Sequence, residues 1–338
     1  MVRCKFLIIL IIISTRLPAQ TYPDYMVNYL LKAGIDNILS QNYDQALEKF
    51  IRLENDFPAI PLGKIFQSAV LITKAVDYNN FEDDRKIHQL LDKAEEQADS
   101  LLDISDSNVW NHYYKALAVG YQAYFSALKS DYFDAFSTAL TSLEHFEICL
   151  EIDSLFYESY TALGSYFYWK SAKTEFLNWL PFFEDDTENG INYLKEAVEN
   201  SVYHKHLAAN SLIWIYIDRE KYDKAVSLAE MFLKKYPNSR FFLEGAARAY
   251  EEIEKEKAIE YYQQMLKSLP ANIPSIVINR VILLHKIAMQ YEKIDDKQKV
   301  LALCDEILSI KIDDEYISKL EGRLDRVEQL KKRFADND

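Results

Sequence analysis

Seven glycines in 338 residues constrain this chain more than any other feature. Ordinary proteins carry about 7% glycine and about 5% proline; here proline, at eight residues, is sparse as well. Sandwiches, barrels and doubly wound sheets need many tight turns, and glycine supplies the positive φ that those turns use. The counts disfavour such folds and suit long helices joined by short polar turns. Apolar residues make up 49% of the chain, enough for a large core, and the length allows two domains or one extended array.

A repeat emerges from the spacing of alanine and proline. Three segments share a frame: YDQALEKFIRLENDFP (43–58), YDKAVSLAEMFLKKYP (222–237) and KEKAIEYYQQMLKSLP (255–270). In each, alanine precedes proline by twelve positions: Ala46 and Pro58, Ala225 and Pro237, Ala258 and Pro270. Four and seven residues after the alanine stand Phe50 and Leu53, Ala229 and Phe232, Tyr262 and Met265. These offsets lay one apolar stripe along a helix. The alanine admits a neighbouring helix, and the proline cannot continue its own. Fifteen helices are predicted, near 23–40, 43–56, 62–79, 82–102, 107–129, 131–152, 155–176, 188–201, 204–218, 221–235, 240–253, 256–268, 274–292, 296–310 and 313–334.

This frame resembles the tetratricopeptide repeat, a helix–turn–helix unit of about 34 residues. Counting back from Pro58, the first-helix positions fall on Leu30, Ala33, Gly34 and Asn37, the last in place of the usual aromatic. Leu163-Gly164 matches the leucine–glycine pair again, and GINYLKEAVENS (190–201) supplies that unit's second helix. The resemblance is strongest at 27–58 and 206–270 and weakest at 59–153. It implies an all-α, right-handed superhelical array of antiparallel helix pairs, with each unit's first helix lining a concave groove. It places groove positions on Asn28, Leu31, Ile35, Ile38 and Leu39; on Glu158, Thr161, Ser165, Tyr168 and Trp169; and on Leu207, Asn210, Trp214, Ile217 and Asp218. Leu31 and Ile35 stand where chaperone-binding relatives carry a carboxylate clamp, so an apolar-aromatic groove is expected instead.

The first residues read as a secretory signal. Arg3 and Lys5 precede an unbroken apolar run from Phe6 to Ile13, and a cleavage-like stretch ends at Ala19. The run is far short of the roughly 20 residues a spanning helix needs. Cys4 precedes the run, out of place for a lipoprotein. The expected organisation is a signal peptide at 1–19, helix pairs at 20–103, further repeats at 104–312 with an insert near 174–187, and a capping helix and tail at 313–338. Export places the protein in the periplasm or outside the cell, with no integral membrane segment after cleavage; retention of 1–19 as an anchor is the alternative.

The formal net charge of −14 disfavours nucleic acid, whose phosphates an acidic surface repels. In an array where each repeat touches only its neighbours, Cys149 and Cys304 do not meet. His204 and His206, two apart, are expected on different helix faces, and His145 with Cys149 lacks further metal ligands. Asp83-Asp84, Asp185-Asp186 and Asp313-Asp314 suit helix starts. There is no HExxH, CxxC, G-x-S-x-G or phosphate-cradling glycine loop. No metal, cofactor or catalytic residue is therefore assigned.

Aromatics, at 14%, are the abundant resource. Tyr121 and Tyr124 crowd one helix. Tyr166 to Trp169 crowd another and cannot all face one way. The following insert holds Trp179 and Phe182 around Pro181, an apolar loop that must dock on something. The candidate partner-binding set is Tyr121, Tyr124, Tyr168, Trp169, Lys170, Lys173, Trp179, Phe182 and Trp214. A scaffold that binds a protein or peptide is the first reading, a carbohydrate or small-ligand binder the alternative, and an enzyme the third. A long open channel would favour peptide, a closed pocket a small ligand.

Overall fold

The structure, a computed structural model, describes residues 20–173 and 185–335. Fifteen helices account for nearly all of them: α1 (Tyr25–Leu39), α2 (Tyr43–Asp56), α3 (Leu62–Tyr78), α4 (Asp84–Ile104), α5 (Val109–Leu128), α6 (Tyr132–Ile152), α7 (Tyr160–Lys173), α8 (Thr187–Asn200), α9 (Lys205–Asp218), α10 (Tyr222–Leu233), α11 (Arg240–Ile253), α12 (Lys255–Lys267), α13 (Ile276–Lys293), α14 (Lys297–Ser309) and α15 (Asp314–Ala335). Each packs mainly on its chain neighbours. The expected signal and the residues Trp179 and Phe182 lie outside the described residues. The seventh helix starts later than its pattern suggests, because the Asp153 carboxylate accepts from the Leu155 N–H at 3.0 Å and turns the chain.

The two rows of helices differ in burial. Odd helices are buried on several sides: α3 buries Leu62, Ile65, Phe66, Ala69, Val70, Leu71, Ile72 and Ala75. Even helices bury one stripe: α4 buries Ile87, Leu91, Ala94 and Ala98 at offsets of four, three and four. The odd helices therefore form an inner row and the even helices an outer one. The largest apolar cluster runs from Val27 to Ile287, and a second joins α13, α14 and α15.

Five first helices end in the same way. Gln41, Asn79, Ser130, Glu220 and Asp295 have φ between 52° and 67°. The next residue's N–H returns to the carbonyl five back: Asn42 to Asn37, Asn80 to Ala75, Asp131 to Ser126, Lys221 to Tyr216 and Asp296 to Tyr291. This is a Schellman stop built without glycine.

The array is not linear, and contacts are not confined to neighbouring repeats. The superhelix turns far enough that α1 and α3 meet the N-terminal ends of α9, α11 and α13. Tyr203 donates to Asn28 and accepts from the Tyr22 N–H, both at 2.8 Å. Lys235 and Tyr236 both donate to Asp36. Arg240 grips Asp77, with Nε at 2.8 Å from Oδ1 and a second contact from its terminal amine. Asn279 donates to the Asp77 carbonyl at 2.6 Å. The Asp77 carboxylate thus sits at the start of α11, where the helix dipole favours an anion. A linear stack was expected because nothing in a local repeat records how far the superhelix turns.

Candidate functional site

Closing the superhelix leaves a central cavity of about 810 Å³. Its wall draws on α1, α3, α5, α7, α9, α11 and α13, with part of α6. The concave face of first helices thus becomes a deep cavity that stays open to solvent on one side. Several groove positions implied by the repeat frame border it: Ile35, Ile38 and Leu39 from α1, Thr161 and Ser165 from α7, Leu207 and Asn210 from α9. The others from that frame do not.

Of the aromatic candidates, Tyr121 and Tyr124 border the cavity, and Tyr166 joins them from α7. Burial and the neighbouring Tyr124 push the Tyr121 phenol up to about 12, so it keeps its proton and its capacity to donate. Tyr168 instead turns outward into the α7–α9 core, where its hydroxyl donates to Asp218 at 2.7 Å. Trp169 packs against the same cluster, its ring centroid 5.0 Å from that of Tyr168. Lys170 is exposed, with its ammonium 5.7 Å from the Tyr166 ring centre. Trp214 is half-buried and does not border the cavity. Lys173 ends α7, and its side chain lies outside the described residues, as do Trp179 and Phe182.

The polar wall was only partly legible. Asp77, Arg240, Glu244, Asn279 and Lys286 all border the cavity. None stands in a motif, because α3, α11 and α13 come together only when the superhelix closes. Lys286 donates to the Tyr262 hydroxyl at 3.2 Å, with its ammonium 4.9 Å from that ring's centre. Burial pulls its pKa down from 10.5 against the pull of Glu244 and Glu251. On the opposite side, Ser165 Oγ donates to Ser211 Oγ at 3.0 Å.

His204 and His206 both border the cavity, His204 as the residue that caps α9 and His206 from its first turn. His204 is held at the Glu158 carbonyl. Burial drives His206 to about 3, so it is neutral. His145 meets His112, ring nitrogens 3.0 Å apart. Cys149 and Cys304 are free, buried thiols, and burial pushes Cys149 up to about 12. Among the described residues, no three His, Cys, Asp or Glu side chains gather to hold a metal ion, and no helix is long and apolar enough to cross a membrane.

Residues 212–239 match a family model described as tetratricopeptide repeat. Among curated proteins no sequence matches. Of solved structures, human IFIT1, determined as a dimer with PPP-AAAA, is similar at 13% identity over 93% of this chain and 79% of that one, with a TM-score of 0.51. A tetratricopeptide repeat protein from Parabacteroides merdae ATCC 43184 aligns at 13% identity over 92% of this chain and 100% of its own, TM-score 0.37. The P58(IPK) TPR domain aligns at 14% identity over 91% and 98%, TM-score 0.22. With the paired inner and outer rows described above, the chain is an all-α, antiparallel helix-pair solenoid of the tetratricopeptide-like kind, a fold capable of holding a partner.

Proposed function

We propose that this chain is a non-catalytic binding protein of the cell envelope that holds its ligand inside the central cavity. The observation that carries the reading is the meeting of α1 and α3 with α9, α11 and α13, which bounds a cavity of about 810 Å³ on the concave face. That volume lies within the range of roughly 300–1,000 Å³ typical of small-molecule sites. The volume supports a small ligand, held in a cavity that is deep and half open.

Ala162 borders the cavity from α7, so Ala162→Trp fills the chamber. Native mass spectrometry of protein purified from its own envelope fraction should show a retained ligand mass in the wild type and none in this variant. Equal retention in both would overturn the cavity reading. Export rests on the basic start, the apolar run and Ala19; a mature N-terminus at residue 20 is the expected mass, and an intact chain would refute cleavage.

A protein partner is the second reading, and one observation favours it. Tyr132, Phe133 and Phe136 on α6 are 70%, 87% and 65% exposed. Neighbouring exposed aromatics suit protein contact. Replacing Phe133 and Phe136 by serine should abolish recovery of such a partner while leaving cavity binding intact.

A further inference from the structure

The charge, polarity and unpaired atoms of the chamber wall narrow what it takes. The wall's carboxylates are Asp77 and Glu244 and its basic side chains Arg240 and Lys286. Arg240 is committed to Asp77, and Glu244 acts on Lys286. His206 adds no charge near neutral pH. The wall therefore holds no surplus of either sign. A desolvated ionic ligand needs a partner charge to offset its lost hydration, and here the wall's charges balance, with Arg240 bound to Asp77 and Lys286 donating to the Tyr262 hydroxyl.

Most of the remaining wall is hydrocarbon and ring, from Ile35, Leu39 and Phe66 to Leu143, Phe241 and Leu283. A sugar, with a hydroxyl on nearly every carbon, would leave most of its polar groups unpaired against these side chains. Polar groups are scattered among them, and one set lies together on α7 and α9. There Ser165 and Ser211 are tied to each other, while Thr161 Oγ1 and Asn210 Oδ1 are buried without any hydrogen-bond partner. Thr161 is 8% exposed. Buried polar atoms are almost always paired, so two orphans on side chains that border the cavity are available to a bound molecule once those side chains turn toward it. A carbonyl oxygen such as Asn210 Oδ1 can only accept, which requires the ligand to donate.

We infer that the cavity takes an uncharged, mainly apolar small molecule carrying a hydroxyl or amide N–H, docked by that donor on Asn210 and Thr161. This rests on the cavity reading above and names the ligand class. The apolar body lies against Ile35, Leu39, Phe66 and Leu283, and the Thr161 or Asn210 side chain turns to meet the donor.

Binding to the full chain by native mass spectrometry and calorimetry, with matched probes, tests it. Dodecan-1-ol should bind about tenfold more tightly than 1-methoxydodecane, which lacks the donor, and more tightly than dodecanoate. In Asn210→Leu combined with Thr161→Val, that preference should fall to about twofold or less while the ether still binds. If the double variant fails to fold by circular dichroism, Asn210→Ala alone should show the same loss of preference. A tighter acid, or a preference that survives the substitutions, would overturn the inference. So would binding of maltotriose or an apolar hexapeptide without the alcohol, which would leave the cavity as a site of different chemistry. If no probe binds, and the wild type and Ala162→Trp retain the same mass from the envelope fraction, both the inference and the cavity reading fall.

Discussion

Arg240 stands at the first residue of α11 and closes the molecule on Asp77, whose second oxygen also accepts from Tyr43 at 2.7 Å. Both side chains are largely buried, at 8% and 15% exposure. Removing one partner strands a charge, so Arg240→Met should cost about 3–5 kcal/mol, read as a fall in the urea midpoint. Arg240→Met with Asp77→Leu should cost less than Arg240→Met alone, because no charge is left behind. A double variant weaker than the single one would contradict this. His206 makes a pH prediction at the same scale. Its folded pKa, about 3, lies below the ordinary 6.5, so the unfolded chain binds the proton that the folded chain refuses. Its contribution is whole above about pH 6.5 and is lost as pH falls toward 3, by up to about 1.4 kcal/mol per unit. His206→Leu should therefore lose less stability than wild type between pH 7.5 and 5.5; parallel losses would argue against it.

The Schellman stops of the first helices show how an array with seven glycines turns its corners. A left-handed conformation costs an ordinary residue about 1–2 kcal/mol, and glycine returns part of that as lost chain entropy. Glu220→Gly, at φ 54°, should accordingly stabilise the protein by about 0.5–1 kcal/mol, measured in urea. At Gly164 and Gly190, glycine instead lets two helices nearly touch. A methyl on Gly190 would lie 2.6 Å from the Gly164 carbonyl oxygen and 2.7 Å from the Tyr168 nitrogen, backbone atoms that cannot move aside. Gly190→Ala should cost about 1–3 kcal/mol. Much of this scale is legible in the chain: the stripes at Ala46-Phe50-Leu53 and Ala258-Tyr262-Met265 are buried, and the Leu163-Gly164 pair sits against α8. Tyr168 and Trp169 illustrate the limit. A run of aromatics fixes that some must face apart, but the outward turn of Tyr168 is decided by Asp218, fifty residues on.

At the scale of the whole molecule, the contacts that matter join residues some 160 to 200 positions apart. No local pattern encodes them, so the chamber wall at Asp77, Arg240 and Lys286 could not be read beforehand, whereas Ile35, Thr161 and Asn210 could, from their place in the repeat. In an open solenoid, weakening one end is felt only next door. Here Arg240→Met should speed amide exchange in α3 as well as α11. Exchange confined to α11 would show that the ends behave independently. The seam itself is polar and partly wet, while the chamber it closes is apolar. Salts then act on the two in opposite senses: screening loosens the exposed ion pair Lys235–Asp36, and excluded anions such as sulfate tighten apolar burial. A molecule inside would be held more firmly at equilibrium in strong sulfate and yet exchange faster, its affinity and its residence time parting company.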